Sequence, residues 1–229
     1  MSLLNTGKAY MLVSEIIQSS IPVLHYEDTV EEAIELLQQN NIGHLAVVHN
    51  DIYEGLLSMD ELLAAGNTDI LSVLTDKFIH VSIQYNQHFL SALKLMAESG
   101  VTALPVLSQS KEYLGVVTET ILIQTLSNFL GAEVPGGIFV LEMQKQSFSM
   151  GEICRLVETN DAFVTQLNTH TEPLSGLLIV TFKISKTEIS DILATLQRYD
   201  YTVRYYFGEE LYENDLKENF DNLMAYLNV

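Results

Sequence analysis

A single cysteine, Cys154, stands among 229 residues. No intrachain disulfide can form, which leads to the expectation of a cytoplasmic protein. Basic residues are scarce: 11 Lys and Arg face 30 Asp and Glu, for a formal net charge of −19. That balance argues against a DNA or RNA groove, which needs a basic stripe to neutralise phosphates. It disfavours an anionic bilayer surface for the same reason. No stretch approaches the roughly 18 apolar residues of a membrane span. The opening MSLLNTGKAYML lacks the apolar run of a signal peptide. Catalytic signatures are missing as well: there is no H-E-x-x-H, Cys-rich zinc spacing, phosphate loop or G-x-S-x-G. His44 and His49, five apart around one strand, face opposite sides and do not chelate one metal. Cys154 occupies an apolar helix position suited to an inert thiol. Glu31, Glu32 and Glu35 read as the solvated face of a helix. The expectation is a protein that is not an enzyme, with no metal site and no certain cofactor.

Apolar residues make up 48% of the chain, far too many for a disordered acidic tail. They also repeat. Shifted by 59, the segment TVEEAIELLQQNNIGHLAVVHN from Thr29 lies on HFLSALKLMAESGVTALPVLSQ from His88. Ala33 falls on Ala92, Leu36 on Leu95, Leu45 on Leu104 and Val47 on Val106. One extra turn residue at Lys111 makes the shift 60, and Tyr53 then meets Tyr113, Gly55 meets Gly115 and Ser58 meets Thr118. Each copy reads as strand, helix, strand, strand, helix, with a short lead-in helix near Met11–Ile17 and Asp69–Leu74. Asn40-Asn41 and Gly100 end the first helices, because both residue types tolerate a left-handed backbone. A unit of this size buries only about 60% of its unfolded surface. The two copies are therefore expected to pack sheet to sheet as one body.

Gly131-Ala-Glu-Val-Pro-Gly-Gly137 marks a boundary, with Pro and Gly clustered after a helix. The division expected is residues 1–131, holding repeats at about 11–66 and 69–131, and then residues 136–229. Beyond the boundary GIFVLEM, AFVTQLNTH, GLLIVTFKI and YTVRYYF read as strands. SMGEICRLVETN and KTEISDILATLQRYD read as helices. The resulting order, βαββαβ, is the split-βαβ, ferredoxin-like arrangement. A last stripe of Tyr212, Leu216, Phe220, Leu223, Met224 and Leu227 has helical spacing and suits a core or a dimer contact. The fold class expected is α/β in the broad sense, with an α+β tail.

The strand endings LAVVHN and LPVLSQ, the turn after each, and the following Gly-apolar-apolar-Ser/Thr resemble a tandem pair of CBS domains. The likeness covers about Met11 to Gly131. The tail from Gly136 to about Phe207 resembles an ACT-type domain by element order, and the two together resemble the acetoin-utilisation accessory proteins. The first likeness implies a regulatory module that binds an adenosine-bearing ligand in a cleft and reports it to a protein partner. It also implies where the ligand sits. In the family a Ser or Thr opens the second helix and an Asp three residues later holds the ribose hydroxyls. The ligand-binding residues implied are Ser58, Glu61, Asp60, Gly43, His44, Thr118 and Thr120. Glu61 stands in the Asp position of the first copy. Ile121 stands there in the second, leaving Thr120 as a weaker hydroxyl substitute.

A structural reading of the same residues stays open. Ser58-x-x-Glu61 is also a capping box, and Thr118 an ordinary N-cap. Ser147 or Ser149 fits an N-cap better than a contact to a bound amino acid. Residues 1–131 hold Lys8, Lys77, Lys94 and Lys111 against 15 acidic residues, a net −11. A bare triphosphate is repelled by such a field. AMP, Mg-bound ATP and S-adenosylmethionine are the regulatory ligands considered, with free ATP ranked last. A homodimer that senses such a ligand and signals through rearrangement is one expectation. A non-catalytic dimeric adaptor with a vestigial nucleotide cleft is the other.

Overall fold

A computed structural model describes residues 12–66 and 69–208. The chain divides into two compact units, residues 1–129 and 130–229. The stripe from Tyr212 to Leu227 lies outside the described residues.

In the first unit the duplication is physical. Helix α1 (Val30–Asn40) starts at Thr29, whose hydroxyl accepts from Glu32 N while the Glu32 carboxylate returns to Thr29 N at 2.8 Å. It ends at Asn41, left-handed at φ 52°. Its apolar face buries Val30, Ala33 and Leu37, and Glu31, Glu32 and Glu35 stay in solvent. Strands β1 (His44–His49) and β2 (Ile52–Ser58) pair antiparallel, with His44 opposite Ser58 and Val47 opposite Gly55. Asn50 and Asp51 turn the hairpin with positive φ. Helix α2 (Met59–Ala64) follows directly.

The second copy repeats each step. A short strand β3 (Ile83–Gln84) leads to helix α3 (Phe89–Ser99), which ends at left-handed Gly100. Strands β4 (Ala103–Leu107) and β5 (Tyr113–Thr118) and helix α4 (Glu119–Phe129) complete it. The pair β4–β5 carries its bulge between Val106 and Leu107, matching that between Val47 and Val48 in β1. The lead-in helices are single 3₁₀ stretches, Val13–Glu15 and Leu71–Lys77. The first strands are shorter than their apolar runs suggest. Leu24 makes one parallel bridge to Val47, and β3 pairs parallel with β4 over two residues.

The lead-in segments exchange between copies. Gln18 bridges Val116, and Ile79 bridges Leu56, each through reciprocal backbone hydrogen bonds. This crossing explains the glycine of each Gly-apolar-apolar-Ser/Thr motif. A Cβ on Gly55 would stand 2.6 Å from Phe78 Cβ, and one on Gly115 would stand 2.6 Å from Ile17 Cγ2. Ala46, Val48 and Leu56 of the first copy share one core with Leu104, Val106 and Val117 of the second. Leu45, Val47 and Leu57 face the other way, into a core with Val30, Leu37 and Leu62. Strand β1 is buried on both faces, which is why it reads as an unbroken apolar run.

The second unit runs β6 (Ile138–Met143), α5 (Met150–Glu158), β7 (Val164–Thr171), β8 (Leu178–Ile184), α6 (Ser190–Arg198) and β9 (Thr202–Phe207). The sheet order is β7-β8-β6-β9 with every neighbour antiparallel. That is the ferredoxin-like arrangement. Phe139 and Phe182 stack at 5.3 Å in a core with Ile153, Leu156, Ile192 and Leu196 from the two helices. Ser149 accepts from Glu152 N and caps α5. Arg204 of β9 binds Glu172 at 2.8 Å and lies 3.7 Å from Glu142. No helix among the described residues is long and apolar enough to cross a membrane.

Candidate functional site

Where β2 runs into α2, Ser58 leaves the sheet in extended conformation and its hydroxyl accepts from Glu61 N at 3.2 Å. The Glu61 carboxylate answers through Oε2, which accepts from Ser58 N at 3.2 Å and from the Ser58 hydroxyl. The capping box is therefore closed, and both side chains are half-buried. Its hydrogen bonds use Oε2 of Glu61. Asp60, next along the first turn, is exposed.

Gly43 and His44 lie beside this turn because His44 pairs with Ser58 across the hairpin and Met59 N donates to Gly43 O at 2.9 Å. Both also reach the second copy. Gly43 N donates to Thr102 Oγ1 at 2.9 Å, and Thr102 N donates to His44 Nδ1 at 3.3 Å. With Nδ1 accepting, the neutral imidazole carries its proton on Nε2. Glu119 N in turn donates to Thr102 O at 3.1 Å. The first turns of α2 and α4 are thus tied to one junction, built from equivalent positions of the two repeats.

Burial lowers the His44 pKa below its usual value, against the opposing pull of the Glu61, Glu119 and Asp60 carboxylates. The carboxylates of Asp60, Glu61 and Glu119, from two helix starts, therefore act on one imidazole whose burial disfavours its charged form. The ion pairs recorded in this unit, His25 with Asp28, Lys77 with Asp76 and Lys94 with Glu98, all lie elsewhere. A ligand at this junction meets hydroxyl, imidazole and carboxylate groups, and a bare anion meets repulsion.

The structure brings Ser58, Asp60, Glu61, Gly43 and His44 together. Thr118 belongs to the matching turn of the second copy, opposite Ala103. It is only 5% exposed, and its hydroxyl donates to the side-chain oxygen of Gln18. Thr120 is exposed, and Ile121 packs against the shared core. Sequence reasoning missed Thr102, Glu119 and Gln18. Thr102 could have been found, since the shift of 59 places it on Gly43. No group of three or more His, Cys, Asp and Glu among the described residues could hold a metal ion.

Open volume lies at the other end of the hairpins. A notch of about 440 Å³ is bounded by Ser19–Val23, His25, Val48 and Tyr113, with Asn50 and Asp51 of the turn, and none of the seven expected residues lines it. Tyr113 Oη is buried without a hydrogen-bond partner among the described residues. Its counterpart Tyr53 donates towards Ile79 O and Val81 O, at 3.2 and 2.8 Å.

A CBS domain model matches residues 13–67 and 70–128. Among curated proteins, the inosine-5'-monophosphate dehydrogenase of Korarchaeum cryptofilum is 29% identical over 116 residues, half of this chain and 24% of that one. The chain spans about a quarter of the length of the curated relatives it matches. Among solved structures, a CBS domain pair/ACT domain protein from Thermotoga maritima matches with a TM-score of 0.48 and 19% identity, over 52% of this chain and 99% of that one. A structure of CBSX2 in complex with AMP matches with a TM-score of 0.45 and 17% identity, over 52% of this chain and 97% of that one.

Proposed function

Because residues 13–67 and 70–128 are a tandem pair of CBS domains, we propose that this protein is a regulatory sensor of an adenosine-bearing ligand. The observation that carries the reading is the junction of Asp60, Glu61 and His44 from one repeat with Thr102 and Glu119 from the other. A ligand seated there touches both repeats. It therefore favours whichever relative arrangement of them it binds better.

Glu61 has the chemistry to take both ribose hydroxyls, since a carboxylate accepts from two donors at once. In this reading a phosphate takes hydrogen bonds from Ser58 and the His44 Nε2–H. With three acids around them, AMP, Mg-bound ATP or cationic S-adenosylmethionine fits better than free ATP. The protein is read as non-catalytic and cytoplasmic, signalling to a protein partner. The second unit is read as an ACT-type domain whose sheet supports a homodimer.

The competing reading, an adaptor with a vestigial cleft, draws on two observations. Ser58 and Glu61 already satisfy one another, and Ile121, three residues after Thr118, packs against the shared core. Melting the full chain with AMP, MgATP, S-adenosylmethionine and NAD separates the two. A specific ligand at 100 times its Kd adds about 2.7 kcal/mol of stability. Stabilisation by one of the adenosine compounds supports the sensor, and an unmoved melting temperature with all of them leaves the adaptor.

A further inference from the structure

The strand-to-helix turns at Ser58 and Thr118 are copies in backbone and differ in the side chain that crosses them. In each, the lead-in segment of one repeat crosses the hairpin of the other, two residues before the helix-opening hydroxyl. Ile79 crosses at Leu56, two before Ser58, and Gln18 crosses at Val116, two before Thr118. Ile79 has no hydrogen-bonding side chain, and among the described residues the Ser58 hydroxyl bonds within its own helix start. Gln18 does have one. Its amide oxygen accepts from the Thr118 hydroxyl, and Thr118, at the end of buried β5, is 5% exposed.

We infer that Gln18 is a built-in occupant of the second cleft, so that the pair takes one nucleotide, at Ser58 and Glu61. This rests on the nucleotide reading above and goes beyond it by assigning the number of sites and the residue that sets it. The Gln18 amide presents to Thr118 the same kind of oxygen acceptor that a phosphate or ribose would. Its backbone is held at 2.8 and 3.2 Å to Val116 O and N, so it competes from a fixed position without losing translational freedom. An incoming ligand must displace it and leave either the amide or the hydroxyl without its partner. Among the described residues, the Glu61 carboxylate has no such competitor from the other repeat, only its own helix cap.

Isothermal titration of the full chain with AMP tests this, on the wild type and on Gln18→Ser, with circular dichroism melts to show that both are folded. Where Gln18→Ser does not fold, Gln18→Asn replaces it, keeping the amide one methylene short of Thr118. The expected result is one site in the wild type and two in the variant. The second should be at least tenfold weaker than the first because Ile121 supplies no carboxylate. One site in a folded variant, or two in the wild type, overturns the inference. No site in the wild type and one in the variant keeps Gln18 as the occupant and removes the Ser58–Glu61 reading. No binding by either protein overturns both.

Discussion

Tyr53 and Tyr113 hold the same place in the two repeats, and among the described residues only Tyr53 has hydrogen-bond acceptors. Its phenol faces the carbonyls of Ile79 and Val81, whereas Tyr113 Oη is buried with no partner among the described residues. The cause is the path of the lead-in chain. The second repeat's lead-in brings two carbonyls within reach of Tyr53, and the first repeat's bends at Ser19–Ile21, where the notch opens. Burial raises the pKa of both phenols above the ordinary tyrosine value, so neither ionises near neutral pH.

The two tyrosines should therefore respond differently to loss of the hydroxyl. Tyr53→Phe removes a satisfied bond and should cost about 1 kcal/mol in urea unfolding. Tyr113→Phe removes an unpaired buried hydroxyl and should be neutral or slightly stabilising. Equal losses at the two positions would contradict the asymmetry.

Gly115 and Gly100 both have positive φ, at 137° and 71°, but only Gly115 is crossed by another segment. A Cβ at Gly115 meets Ile17 and the carbonyl oxygen of Gln18, whereas one at Gly100 meets nothing within 4 Å. Gly100→Ala should cost about 1 kcal/mol, the backbone penalty alone. Gly115→Ala should cost clearly more in the same denaturation assay, since the lead-in strand must shift as well. Matching costs would mean that the crossing is loose.

His44 should make stability depend on pH. Its folded pKa lies below the unfolded value of about 6.5, because burial disfavours the imidazolium more than the nearby Glu61, Glu119 and Asp60 favour it. Below that unfolded value the unfolded chain binds more protons than the folded one, so stability falls as pH falls. His44→Asn keeps an acceptor for Thr102 N and removes the titration. Between pH 7.5 and 5.5 the wild type should lose more stability than this variant. A steeper loss in the variant would reverse the sign assigned to His44.

The duplication was legible because burial on both faces of β1 and on the inner face of α1 forces apolar residues into the same spacing twice. Ala33 and Ala92, and Val47 and Val106, are each fully buried. The ferredoxin-like order of the second unit was legible for a related reason, since its helices and strands alternate in period. The site was legible only where it is local. Ser58 and Glu61 are three residues apart, and their pairing follows from helix-capping chemistry. The bond from Thr118 to Gln18 spans 100 residues, and those from Thr102 to Gly43 and His44 span 59 and 58. No local pattern encodes such contacts, and the lead-in segment that brings Gln18 to Thr118 is too short to alternate visibly.

The central claim, that the first cleft holds an adenosine-bearing ligand through Glu61, is tested most directly by AMP affinity in two single variants. Glu61→Ala should weaken binding at least tenfold relative to the wild type, while Ile121→Ala should leave the affinity nearly unchanged. Equal weakening by the two substitutions, or none by Glu61→Ala, would contradict it.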